Sequence, residues 1–203
     1  MSELSAGTDY GRAMRSELDG LQRPIVVVFT GLPGTGKSTM ADKLAIHLGA
    51  PAFSGDWLLG ALQPAAAPLA QLSRDALLRT YHSLHNSLMT RQLLLGQSAV
   101  LDCLVTDAVA KKWQSTALAQ EAEFRVIECV CSDAVVHRSR IEGRVRAIPG
   151  WHEIGWSHVD KMRGELAPLS VERFTLDAVT TVDRNFRSVC AYLFGSDGRT
   201  VNS

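Results

Sequence analysis

Paired cysteines are missing from this chain of 203 residues: its four, at 103, 129, 131 and 190, form no CxxC motif. Structural zinc sites and disulfide frameworks rest on such pairs, so the four read as small buried apolar residues. An excess of one charge is missing too, since 21 basic residues offset 21 acidic ones. Proteins that lie along nucleic acid carry a basic excess, so long nucleic acid is disfavoured as a partner. No apolar run approaches the roughly 18 residues that cross a membrane, and the opening MSELSAGTDYGRAMRSELDG has no charged-then-apolar secretion signal. The expectation is a cytoplasmic protein with no membrane contact. Aromatic residues are only 6% of the chain, so each tryptophan near a candidate site carries weight. What is abundant is apolar content, 46% against 21% charged. That is the make-up of a globular domain with a substantial core.

Residues 1–22 read as a loose leader with a short helix, and 23–203 as a single domain. Pro24–Phe29 is a continuous β-branched run, the mark of a strand buried on both faces. Helix follows over 37–48, ended by Gly49, and a short strand at 51–54. Pro64 and Pro68 mark a loop, after which apolar spacing from Leu69 to Leu95 predicts one long helix or two in succession. Strands are expected at 98–105, 124–131 and 173–178, and helices at 107–122, 133–145, 157–166 and 182–194. Alternating strands and helices imply an α/β fold: a five-stranded parallel sheet with helices on both faces. Such sheets bind ligands beyond the carboxyl ends of their strands, which gathers Gly31–Ser38, Asp56, Asp102 and the stretch after Cys131 onto one edge.

The stretch VVVFTGLPGTGKSTM, residues 26–40, carries the most chemistry. Gly31, Gly36, Lys37 and Ser38 satisfy G-x-x-x-x-G-K-[ST] between a buried strand and a helix, the context that makes the pattern a P-loop. Its glycines let backbone N–H groups converge on phosphate, and the helix adds its positive end. Gly31, Leu32, Pro33, Gly34, Thr35, Gly36, Lys37, Ser38 and Thr39 are the expected nucleotide-binding set. Lys37 would reach the β- and γ-phosphates of ATP or GTP, and the Ser38 hydroxyl would ligate Mg²⁺. A GTPase-like switch would also show an N/T-K-x-D base-reading motif, and none is present. An AAA-type ATPase would show an apolar strand ending in Asp-Glu; here AVLDC places Cys103 after Asp102. A kinase needs only an acceptor-side carboxylate and arginines over the transferring phosphate.

GLPGTGKSTMADKLAIHLGAPAFSGDWLLGAL resembles the opening of small P-loop kinases, the group of chloramphenicol phosphotransferase, gluconate and shikimate kinases and polynucleotide 5′-kinases. The resemblance runs over roughly 24–194 and is tight only at the P-loop. It implies a P-loop NTPase fold with a helical lid, and an acceptor hydroxyl facing Asp56 as general base or orienting group. Asp56 would otherwise N-cap a short helix at 57–62, a compatible role. HRSRIEGR resembles the lid signature R-Φ-x-x-R of these kinases, which maps to Arg140 and Arg144; at i,i+4 the two would share a helix face. Arg138 and Arg146 add charge nearby, and which of the four contacts phosphate stays open beside the alternative of a solvated basic face. Asp102 would hold Mg²⁺ through water, or cap a helix or bind substrate. Asp177 and 179–181 fall where these families wrap the nucleotide base.

Residues 61–97 are the expected acceptor-side region and 133–166 the arginine-rich lid. Trp57, Trp151 and Trp156, with His152, are candidate aromatic faces for a flat or partly apolar acceptor, or core packing. His82 and His85 suit packing or surface roles better than catalysis. The sequence thus points to a phosphotransferase acting on a small-molecule hydroxyl, an antibiotic or other natural product being compatible. A polynucleotide or nucleoside 5′-kinase and a nucleotide-dependent regulatory or toxin-like protein are the alternatives. Oligomeric state is not readable.

Overall fold

The computed structural model describes residues 23–195; the leader expected at 1–22 lies outside them, as do residues 196–203. Five parallel strands form one sheet in the order β2-β3-β1-β4-β5: β1 Ile25–Thr30, β2 Ala52–Ser54, β3 Ala99–Asp102, β4 Glu123–Val130 and β5 Phe174–Asp177. All six residues of β1 are buried, as its unbroken apolar run requires of a central strand. Successive side chains on a strand point to opposite faces, so β1 feeds two cores. Val26 and Val28 pack with Met89, Leu93, Trp113 and Phe124, under helices α4 (Arg74–Leu94) and α5 (Asp107–Ala119). Ile25, Val27 and Phe29 pack with Met40, Leu44, Leu176 and Val189, under α1 (Lys37–Leu48) and α8 (Val182–Phe194). No described helix is long and apolar enough to cross a membrane.

Within residues 23–195 the expected strands and helices are present, with shifted ends. The segment after Pro64 resolves into a short α3 (Ala66–Leu69) and the long α4. The short helix α2 spans Gly55–Ala61, starting two residues earlier than expected, with Ser54 rather than Asp56 at its N-cap. Neither side chain caps it: the Ser54 hydroxyl donates to Asp102 Oδ2 at 3.2 Å, and Asp56 pairs with Arg146. Helix α6 (Ala134–Glu142) stops short of the expected 145, with Gly143 at its C-cap. Beyond it the chain runs irregularly, with Ala147 at φ 52°, until α7 (Trp156–Glu165). Arg144 and Arg146 turn into ion pairs with Glu153 and Asp56 that a continuing helix would have pointed elsewhere. The strand ends Thr30, Ser54, Asp102, Val130 and Asp177 therefore meet one edge, where the loops gather.

Candidate active site

A cavity of about 650 Å³ opens at that edge, within the size range of small-molecule sites. Its floor is the loop from Pro33 to Thr39; Gly31 and Leu32 lie behind the lining. Helix α1 starts at Lys37, so its unpaired first N–H groups face the same space. The Lys37 ammonium donates to Leu32 O at 3.0 Å and the Thr35 hydroxyl to the same carbonyl at 2.7 Å, which folds the loop on itself. Across the β1–β3 pairing, Phe29 sits opposite Asp102, and the Ser38 hydroxyl donates to Asp102 Oδ2 at 2.6 Å. Ser38 and Asp102 thus offer adjacent hard oxygen donors. Among the described residues no group of three or more His, Cys, Asp or Glu could hold a metal. That donor set suits Mg²⁺, which takes one or two protein oxygens and completes its shell from phosphate and water, and does not suit zinc. Burial, then the neighbouring Asp102, pushes the Cys103 thiol well up, and burial pushes Cys129 up to about 12, so neither cysteine is a thiolate at neutral pH.

Asp56 and the arginines share this cavity. Asp56 pairs with Arg146, a residue 90 positions away. Glu153 accepts from the Arg146 backbone N–H at 2.8 Å and stands 3.5 Å from Arg144 Nε. Against its own desolvation, these contacts hold Glu153 below its ordinary carboxylate range. Burial, then the like charge of Arg146, draws the Arg144 guanidinium below its ordinary value, while Glu153, Asp56 and Asp102 work against that. Arg144 Nε and Nη2, Arg146 Nη2 and the Trp151 indole N–H are buried with no hydrogen-bond partner among the described residues. Unpaired buried donors are rare, and guanidinium donors of this kind suit phosphate oxygens. Arg140 also lines the cavity but donates to Ala178 O at 2.8 Å, beside Thr180, Val182 and Asn185. Arg138 pairs outward with Glu142 on the exposed face of α6. The shared helix face expected of Arg140 and Arg144 is absent, because α6 ends between them. Asp177 is not among the residues lining the cavity; its carboxylate accepts from the N–H groups of Ser132 and Val179, and the Ser132 side chain, then these N–H groups, hold it below its ordinary value.

The family model of AAA_33, an AAA domain, matches residues 26–169. The chain belongs to this family. No curated protein matches it. Among solved structures, a gluconokinase from Sinorhizobium meliloti 1021 is 16% identical with a TM-score of 0.63, over 85% of this chain and 93% of that one. A sugar kinase from Janibacter sp. HTCC2649 is 17% identical with a TM-score of 0.62, over 86% and 96%. Kti12 from Chaetomium thermophilum, in complex with ADP-AlF3, is 16% identical with a TM-score of 0.61, over 85% and 98%. At such identities the likeness is one of fold. The AAA_33 chain therefore carries a nucleotide-binding P-loop on the P-loop kinase fold, although β3 ends in Asp102-Cys103 rather than Asp-Glu.

The aromatic residues of this AAA_33 domain sort differently from expectation. Trp57 is 55% exposed and outside the cavity wall, whereas Trp151 lines it and stacks on His152 at 5.0 Å. Successive side chains on a helix point about 100° apart, so Asp56 can line the cavity while its neighbour Trp57 stays outside it. His85 is fully buried and packs against Tyr81 and Trp113, and His82 bonds Leu104 O at 3.0 Å; both are packing residues, and burial lowers the pKa of each.

Sequence reasoning missed His137. It is 1% exposed on α6; its Nε2 donates to Pro33 O in the P-loop at 2.7 Å, and its Nδ1 accepts from Arg163 Nη2 at 3.2 Å. A carbonyl on one side and a guanidinium on the other require the imidazole proton on Nε2. Trp156 meets its ring edge-on at 5.2 Å, and Arg163 lies over Trp156 at 5.1 Å. A Cβ on Gly34 would stand 3.2 Å from the same imidazole, so the loop is built against it. The only signal in the sequence was one histidine in a run of arginines, which spacing could not single out. His137→Phe, which keeps the ring but loses both bonds, is expected to weaken triphosphate binding about fivefold, the worth of one net hydrogen bond. His137→Gln, with a donor and an acceptor, should recover most of that. Titration with a fluorescent nucleotide decides it, and equal affinity in His137→Phe would mean that the Pro33 contact does not set the loop.

Proposed function

We propose that this chain is a nucleoside-triphosphate-dependent phosphotransferase that moves the γ-phosphoryl group to a hydroxyl of a small molecule. The observation that carries the reading is one cavity holding the P-loop, Ser38 with Asp102, and Asp56 among arginines with unpaired donors. In this reading the loop N–H groups and Lys37 cradle ATP or GTP, and Arg140 steadies the segment 178–182 around the base. Ser38 would hold Mg²⁺ directly and Asp102 through water; the ion, when bound, neutralises charge on the β- and γ-phosphates. Asp56 orients the acceptor hydroxyl, while Arg144 and Arg146 meet the transferring group and exclude water as residues 133–166 close. As the acceptor oxygen bonds to the γ-phosphorus, the bond to the bridging oxygen breaks. Nucleoside diphosphate leaves, and the hydroxyl proton passes to Asp56. A loose transition state asks for orientation more than for a strong base, which a carboxylate supplies. A cytoplasmic location, where triphosphate and Mg²⁺ are plentiful, goes with the reading.

An antibiotic or other natural-product alcohol fits a shared cavity of this size. The names of two structural relatives, a gluconokinase and a sugar kinase, place sugar acids and sugars in the same test. The test is transfer from γ-labelled ATP or GTP with Mg²⁺ across antibiotics, sugars, nucleosides and oligonucleotides. The expected result is an acid-stable phosphomonoester on a small molecule, formed by the wild type and lost in Lys37→Ala. Triphosphate binding with no transfer to any hydroxyl would instead support the regulatory reading.

A further inference from the structure

Beyond the P-loop residues themselves, the cavity is lined by Leu59 of α2, Leu77 of α4, Leu104 after β3, and Ile154 and Met162 around α7, with Leu78 43% exposed. These side chains come from four separate parts of the chain and line the same cavity as Asp56. Arg144 and Arg146 stand beside Asp56 with donors unpaired among the described residues, taken up in this reading by the transferring phosphate, and the other polar groups there are few. Asp56 is engaged with Arg146, and the Tyr81 hydroxyl already accepts the Leu104 N–H at 3.3 Å. His158 and the unpartnered Trp151 indole N–H also belong to the lining.

A sugar, a polyol or a nucleoside carries several hydroxyls that must each find a partner when water is expelled. A wall of leucine, isoleucine and methionine offers them none, whereas it gains from covering alkyl or aryl surface. From this wall we infer that the acceptor is an alcohol with an apolar, alkyl or aryl body, rather than a sugar, polyol or nucleoside. The inference rests on the phosphotransferase reading and names the substrate class of the same site. One hydroxyl meets Asp56, the body lies on Leu59, Leu77 and Met162, and the Trp151 N–H anchors a carbonyl or ether oxygen on it. Each hydroxyl added to that body is expected to lower kcat/KM on the order of tenfold to a hundredfold, the discrimination an apolar pocket achieves.

The experiment measures two things on the whole protein with the same probes: 2-phenylethanol and 2-(1-naphthyl)ethanol against glucitol, gluconate, adenosine and a 5′-hydroxyl oligonucleotide. Calorimetry with Mg²⁺ and a non-hydrolysable ATP analogue gives binding, and γ-labelled ATP gives transfer. The expected result is that the aryl alcohols bind and accept phosphate with kcat/KM at least a hundredfold above the polyols and adenosine. Leu77→Asn should narrow that ratio about tenfold and Leu77→Met, which keeps an apolar side chain of similar volume, should leave it unchanged. Preferred transfer to glucitol, gluconate, adenosine or the oligonucleotide overturns the inference and leaves the phosphotransferase standing. Binding of the aryl alcohols with no transfer to any probe keeps the apolar ligand class of this wall and counts against the phosphotransferase. Failure of every probe to bind overturns the inference.

Discussion

Asp56→Asn is expected to slow phosphoryl transfer about 10²–10⁴-fold, the usual worth of a positioned proton acceptor, while triphosphate affinity stays within about twofold. The asparagine is nearly isosteric and can still accept a bond from Arg146, so the cavity keeps its shape and loses one charge. The P-loop contacts lie on other elements, which is why binding and transfer should separate. Two explanations of a slow variant remain to be divided. Asp56 either receives the acceptor hydroxyl or serves only to hold Arg146 in place. Arg146→Met tells them apart: if Asp56 only holds Arg146, both single variants and the double variant are equally slow. If Asp56 acts on the hydroxyl, the double variant is slower than Arg146→Met alone, and the cycle reports the coupling. Single-turnover transfer from labelled ATP supplies the rate, and undiminished transfer in Asp56→Asn would remove this residue from the acceptor site.

Gly31→Ala is expected to be the most damaging of the small substitutions in the P-loop. Gly31 lies at φ 131°, where side chains are rarely tolerated, and a Cβ there would stand 2.0 Å from the Cys129 carbonyl oxygen. That oxygen belongs to buried backbone near the end of β4, held by pairing with β1 and β5, so it cannot step aside cheaply. Backbone strain of about 1–3 kcal/mol and overpacking of about 1–3 kcal/mol add to roughly 2–6 kcal/mol. For a domain of this size that amounts to a fall in Tm of about 5–20 °C. Gly36→Ala is the matched comparison: its φ is 81°, yet nothing stands within 4 Å of an added Cβ. It should cost only about 1–2 kcal/mol, the left-handed penalty for a residue with a Cβ. Thermal melts followed by circular dichroism separate the two, and equal melting points would mean that the collision with Cys129 is relieved at no cost.

Much of the donor half was legible because it is local. A strand, six intervening positions and a helix lie within residues 25–48, and each element's signal is carried by its own residues: β-branched burial, glycine at the turn, Gly49 at the stop. Asp102 was legible beside the P-loop strand for a similar reason. Its run was apolar enough to be a buried strand, and parallel crossover rules brought it next to β1. The arginines were not legible in the same way. Helical spacing assigned Arg140 and Arg144 a common face, but Gly143 ends the helix, and ion pairs with Glu153 and Asp56 draw Arg144 and Arg146 inward. Trp57 was favoured for being adjacent to Asp56 in the chain, yet neighbours on a helix point about 100° apart, and the cavity takes Trp151 instead.

The sequence by itself determined a P-loop on an α/β sheet, together with the edge at which its chemistry gathers. Periodicity, glycine placement and the alternation of strands with helices along the chain are properties of short segments. Only the tertiary structure decided that Arg146 meets Asp56, that His137 ties the loop to Arg163, and that leucines from separate helices line the same cavity. Those facts depend on side chains far apart in sequence competing for one space, and no local pattern records who wins.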